Sequence, residues 1–257
     1  MILKEKTVLI SGSNRGIGRA IAEELAQYPV HLLLGMRNPA SFTPIENSKA
    51  LSIKPVLMDM GSQASIDKSL ELIKKDLDSL DILINNAGQF VAGALQNQNS
   101  EKVALMFQVN LIGLTYLTGR LLPTLLKRPE AKIVNNASIA GYAYLPFNST
   151  YSATKAGVVA FSESLRRELV KTNVGVLHLV TPVIDTEMMD DVEKTYKEEG
   201  RPLNLKRMPA SKWAKKIVQA IEKDKDVLSP SGSTELLKLM SHGPSFLVDG
   251  IAKRLVK

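Results

Sequence analysis

The chain reads as one α/β domain spanning residues 1–257, a doubly wound Rossmann fold whose parallel sheet has about seven strands with helices on both faces. Three observations predict it. Short apolar runs alternate with longer segments of helical period, the βαβα order of a helix-covered parallel sheet. The runs are continuously apolar, as strands buried on both faces must be. The first run opens into a glycine-rich turn, and a helical pattern follows at once.

In chain order, strands are expected at Thr7–Ile10, Val30–Leu34, Ile53–Leu57, Ile82–Ile84, Ile133–Val134 and Val174–Val180. Helices are expected between them, over about Gly16–Gln27, Gln63–Leu77, Glu101–Leu126 and Ser152–Lys171. After the sixth strand the pattern loosens. Residues 183–210 are polar, charged and Met-containing, and read as a substrate-binding lid, either a helical excursion or a loop. Ser211–Lys223 restores a helical period, Val227–Leu228 supplies a short seventh strand, and 230–257 form a variable C-terminal segment. No repeat, low-complexity tract or linker divides the chain.

Composition narrows the chemistry. The absence of cysteine excludes disulfides, thiolate catalysis and cysteine-ligated zinc, and fits a cytoplasmic location. The three histidines are far apart and lack metal-ligand spacing, so no metal is expected. The net charge of +7 is spread along the chain without a basic run or a nucleic-acid module, so nucleic acid is not an expected partner. No stretch approaches the roughly 18 apolar residues of a membrane span.

The turn after the first strand is Ser11-Gly12-Ser13-Asn14-Arg15-Gly16-Ile17-Gly18. Glycines there let the backbone approach a pyrophosphate, and the following helix N-terminus offers free amides to the anion. An acid at the end of the second strand would hold a ribose 2′-hydroxyl, whereas arginine accommodates a 2′-phosphate. The sequence there is Gly35-Met36-Arg37-Asn38, with no acid. Arg15 can approach the same phosphate from the turn. Two guanidiniums around one dianion favour NADP(H) over NAD(H).

Gly12, Gly16 and Gly18, then Asn85-Asn86-Ala87-Gly88, Asn110, Ser138 and Tyr151-Ser152-Ala153-Thr154-Lys155 together resemble the short-chain dehydrogenase/reductase family, in order along residues 7 to about 190. The resemblance implies that Lys155 bonds the nicotinamide ribose, Ser138 holds the substrate oxygen, and Asn110 supports a water-mediated proton path. It places Asn86, Ala87 and Gly88 beside the adenosine, with Asp59 and its neighbour Met60 at the adenine. Physical reasoning supports Tyr151 as the acid/base. Tyr151 and Lys155 lie four apart and share a helix face. A free phenol, with a pKa near about 10, is a poor base at neutral pH. The ammonium and the oxidised nicotinamide are expected to lower it.

The chain also departs from the family pattern. Relatives commonly carry Pro-Gly-x-Val-x-Thr after the sixth strand; here the order is Thr181-Pro182-Val183-Ile184-Asp185-Thr186. The match works best if the glycine is missing and Thr186 takes the threonine position near the nicotinamide carboxamide. The tail, Ser245–Lys257, interleaves apolar and basic residues. It is compatible with a membrane or partner surface, but packing on its own domain is the favoured reading.

These observations imply an enzyme that moves hydride between NADP(H) and a carbonyl or alcohol. Ala143, Tyr144, Leu145, Pro146 and Phe147 give its pocket an apolar wall. The alternatives are a 3-oxoacyl-thioester reductase acting on an acyl carrier protein, and a regulator that binds NADP(H) without turnover. The resemblance implies a homodimer or homotetramer.

Overall fold

The computed structural model describes residues 1–144, 146–200 and 205–230. Leu145, His242 and the tail at 245–257 lie outside the described residues. The elements are β1 (Thr7–Ser11), α1 (Gly16–Leu25), β2 (His31–Met36), β3 (Ser52–Leu57), α2 (Gln63–Leu72), α3 (Lys74–Leu77), β4 (Leu80–Asn85), α4 (Ser100–Phe107) and α5 (Leu114–Leu125). There follow β5 (Ala131–Asn136), α6 (Ser149–Glu168), β6 (Val174–Leu179), β7 (Ile184–Asp185), α7 (Glu187–Glu198), β8 (Met208–Pro209), α8 (Ala210–Glu222) and β9 (Val227–Leu228).

Seven strands form one parallel sheet in the order β3-β2-β1-β4-β5-β6-β9. Within β1 the side chains alternate: Val8 and Ile10 join the core beneath α1 and α8, while Leu9 joins the opposite core beneath α2, α5 and α6. Helix α8 lies on the first face because Trp213, Ala214, Ile217, Val218 and Ile221 fall on one stripe. Each fully buried large apolar side chain contributes about 1.5–3 kcal/mol by leaving water. Strand order reverses between β1 and β4, which opens a crevice at their carboxyl ends where open α/β sheets bind ligands. Among the described residues, no helix is long and apolar enough to cross a membrane.

Two expected helices are interrupted. Gln63–Leu77 divides at Ile73, whose backbone leaves the helical region (φ −109°, ψ 17°). The helix expected over Glu101–Leu126 is α4 and α5 joined by a π-helical turn, Gln108–Gly113. This turn runs close against the loop after β3: a Cβ on Gly113 would lie 2.3 Å from the Met60 carbonyl oxygen. The lid contains a true helix, α7, whose start is pinned by pairing of β7 with β8.

Candidate active site

The glycine-rich turn is held by contacts only glycine permits. Gly12 is left-handed (φ +65°), and a Cβ there would sit 2.7 Å from Cα of Ala87. A Cβ on Gly18 would be 2.1 Å from the Gly12 carbonyl oxygen. Ser13 is buried, and both its amide and its hydroxyl donate to the Gly35 carbonyl (3.1 Å each), tying the turn to the end of β2 near Arg37. Asn14, Arg15 and Arg37 are exposed; Ile17 packs inward on the core. No side chain caps α1, unlike α2 and α4, which Ser62 and Asn99 cap. Its first-turn amides are therefore available to an anion, and the turn fits a dinucleotide pyrophosphate.

The end of β4 locks onto this turn. The Asn86 side-chain amide donates to the carbonyls of Ser11 (3.2 Å) and Gly12 (2.9 Å), and the Ser11 hydroxyl accepts from the amides of Asn86 and Ala87. Asn136, at the end of β5, extends the lock. It donates to Asn86 Oδ1 (3.0 Å) and accepts from the Thr181 hydroxyl (2.6 Å), while its carbonyl accepts from Lys155 Nζ (2.7 Å). Four strand ends are thereby joined by one buried polar hub.

Ser138, Tyr151 and Lys155 meet beside this hub. Lys155 is buried, and desolvation pushes its ammonium down to about 8. Its Nζ lies 5.8 Å from the centre of the Tyr151 ring. The other face of the cluster is apolar: the Phe90 ring lies 4.0 Å from that of Tyr151, centre to centre, at 35°. Burial pushes the Tyr151 phenol up to about 12, and its bond with the Ser138 hydroxyl opposes this only in part. In the chain alone burial is the dominant influence on the phenol, whereas the expected lowering involves the oxidised nicotinamide as well as Lys155. Asn110 is fully buried in the π-helical turn. Its amide clamps the Gln89 backbone from both sides, accepting from N–H (2.7 Å) and donating to the carbonyl (2.9 Å), and also donates to Thr154 (3.1 Å). A Cβ on Gly88 would lie 3.5 Å from Asn110 Oδ1 and 3.8 Å from Lys155 Nζ, so the two meet there.

A family profile described as short chain dehydrogenase matches residues 6–197. The chain belongs to the short-chain dehydrogenase family. An uncharacterized oxidoreductase from Staphylococcus epidermidis is 32% identical over 191 residues, covering 74% of this chain and 83% of the relative. Two solved structures share the fold. One is a short chain dehydrogenase from Burkholderia cenocepacia in complex with NADP (TM-score 0.78, 20% identical, covering 100% of both chains). The other is a short chain dehydrogenase/reductase from Burkholderia phymatum in complex with NAD (TM-score 0.76, 23% identical, covering 93% of this chain and 94% of that one).

The remaining predicted positions of this short-chain dehydrogenase lie around the same crevice. Thr186 precedes α7, and its methyl would be 3.4 Å from a Cβ on Gly16, so the lid touches the glycine-rich turn. Pro182 follows the buried Thr181, whose carbonyl accepts from the Ile139 amide (3.0 Å). Asp59 forms a local turn, with Oδ1 accepting from the Gly61 amide (2.9 Å); Met60 is buried in the core. Arg15 is bound to Glu187 on the lid (2.5 Å).

Sequence reasoning missed several participants. Phe90 carries no motif, although its position two residues beyond Gly88 is a usable signal. Asn136 and Thr181 offered only the weak signal of polar residues closing apolar strands. Tyr196 had no signal: it is buried on α7, and its hydroxyl bonds Pro146 (3.0 Å) and Asn148 (2.8 Å) just before α6.

Proposed function

We propose that this short-chain dehydrogenase is an NADP(H)-dependent carbonyl reductase, or an alcohol dehydrogenase in reverse, acting on an apolar substrate. The observation carrying this reading is the Ser138–Tyr151–Lys155 cluster, its serine and lysine buried and its tyrosine half-buried, beside the polar hub that holds the glycine-rich turn. The arginines Arg15 and Arg37 and the missing acid after β2 favour the phosphorylated cofactor. Gly12, Ser13, Asn14, Arg15, Gly16, Ile17 and Gly18 would hold the pyrophosphate side, and Asn86, Ala87, Gly88, Lys155, Pro182 and Thr186 the remainder. When bound, the nicotinamide supplies or accepts the hydride.

The chain's own residues handle the proton. With its phenol pushed up to about 12, Tyr151 is protonated at neutral pH and can donate to the substrate oxygen during reduction. Ser138 holds that oxygen. Lys155, lowered only to about 8, stays mostly charged at pH 7 and can return a proton. Phe90 and the Phe147–Tyr196 pair, whose rings are edge to face at 5.9 Å, give an apolar wall suited to an aliphatic or aromatic carbonyl.

The test is turnover of NADPH and NADH against a carbonyl panel. NADPH preference that narrows at least tenfold in Arg37→Ala is expected; binding without turnover on any carbonyl would favour the regulator. Phe90→Ala should admit water to the phenol and move its pKa back toward 10. In alcohol oxidation, where the phenolate is the base, the acidic limb of kcat/KM should therefore shift to lower pH by about one unit, within the range burial can impose. An unmoved limb would remove Phe90 from this role.

A further inference from the structure

Five acids crowd the start of the lid: Asp185, Glu187, Asp190, Asp191 and Glu193. Three are satisfied within the lid by one guanidinium. Arg207 binds Asp185 (3.2 Å), Asp190 (2.5 Å) and Glu193 (2.8 Å), tying the end of the excursion to its beginning. Glu187 is different. It reaches off the lid to Arg15 of the glycine-rich turn, at 2.5 Å, with both side chains exposed. Next in sequence to Glu187, the Thr186 methyl lies where a Cβ on Gly16 would meet it at 3.4 Å.

The lid is held at its base by the pairing of β7 with β8, and beyond that base it has two unlike attachments. At its far end Tyr196 is buried and bonded to Pro146 and Asn148, and Asn97 donates to Glu199 (3.1 Å). At its near end the Arg15–Glu187 pair is solvated. Such exposed pairs are weak and readily exchanged.

We propose that Glu187 is a cofactor-specificity residue: it competes with the 2′-phosphate of NADP(H) for Arg15, so that binding of the phosphorylated nucleotide releases the near end of the lid. This rests on the reading of Arg15 as a 2′-phosphate ligand. A phosphate dianion offers the guanidinium more charge and more acceptor oxygens than one carboxylate, so the exchange runs toward phosphate. A nucleotide with a free 2′-hydroxyl has nothing to draw Arg15 away, and the pair persists. The lid thereby senses which nicotinamide nucleotide is bound, pivoting on the Tyr196 attachment.

The experiment uses adenosine 2′,5′-bisphosphate and adenosine 5′-monophosphate as probes, with affinity measured by calorimetry and lid opening by backbone hydrogen exchange over 187–198. In the wild type, the bisphosphate should raise exchange in the first turns of α7, and the monophosphate should not. Glu187→Gln should bind the bisphosphate about two- to fivefold more tightly, the worth of an exposed ion pair. Its monophosphate affinity should be unchanged, and its lid exchange should be raised before any ligand is added. Wild-type affinity for the bisphosphate, or unmoved lid exchange, in Glu187→Gln would overturn the proposal. Arg15→Ala separates the two levels. If it collapses the preference for bisphosphate while Glu187→Gln is silent, only the competition fails. If Arg15→Ala leaves that preference intact, the assignment of Arg15 fails, and the proposal with it.

Discussion

Tyr151→Phe is expected to lower kcat for carbonyl reduction by about 10²–10⁴-fold, the range attributable to a positioned acid/base. NADPH affinity and thermal stability should change little. The substitution removes one oxygen and leaves the ring against Phe90, so the wall of the site survives. Lys155 keeps its bond to the Asn136 carbonyl, because that bond does not pass through the phenol. Stopped-flow hydride transfer alongside a fluorescence titration of NADPH would read both quantities. Retention of more than a tenth of the wild-type rate would mean that another group supplies the proton.

The second large effect is structural in origin. Gly18→Ala places a methyl 2.1 Å from the Gly12 carbonyl oxygen and 2.4 Å from the Asn86 amide nitrogen. Neither neighbour can retreat cheaply, since the two are bonded to each other and Asn86 is bonded to Asn136. A cost of about 3 kcal/mol is expected, at the upper end for overpacking, with a fall in Tm of about 5–10 °C. NADPH affinity should fall at least a hundredfold, because the displaced turn is the one that would receive the pyrophosphate. Gly119→Ala is the matched control. Its Cβ would meet nothing within 4 Å on the exposed face of α5, so the better helix former should leave stability unchanged or raised by up to about 1 kcal/mol. Equal losses in the two variants, read by calorimetry and NADPH titration, would sink the contact argument.

The parallel sheet was legible because its strands are buried on both faces, which writes them as uninterrupted apolar runs. The glycine-rich turn was legible because close backbone approach admits no other residue at Gly12 and Gly18. Other features depend on partners far along the chain. Asn136 looks like an ordinary polar strand end until Asn86, Lys155 and Thr181 converge on it from three other segments. The burial of the Tyr151 phenol was not legible, because charge is visible in sequence, whereas the solvent excluded by the folded chain is not. Arg15 could be read as an anion ligand, but its engagement with Glu187, 172 residues later, could not. The π-helical turn was hidden for a different reason: one extra residue barely disturbs an apolar pattern as long as Glu101–Leu126.

That extra residue has a consequence for how the protein can change over evolutionary time. Each residue of an ordinary helix advances about 100° around its axis. The wide turn winds fewer degrees per residue, so it takes up the extra residue without rotating α5 away from the sheet. Deleting one position in Gln108–Gly113 would close the turn into regular helix and leave Leu114, Leu117, Leu121 and Leu125 facing the core. What such a deletion would disturb is local: Asn110 would lose its aim at Gln89. A shortened descendant could keep the far layer of its core and would have to rebuild only the contacts that Asn110 makes.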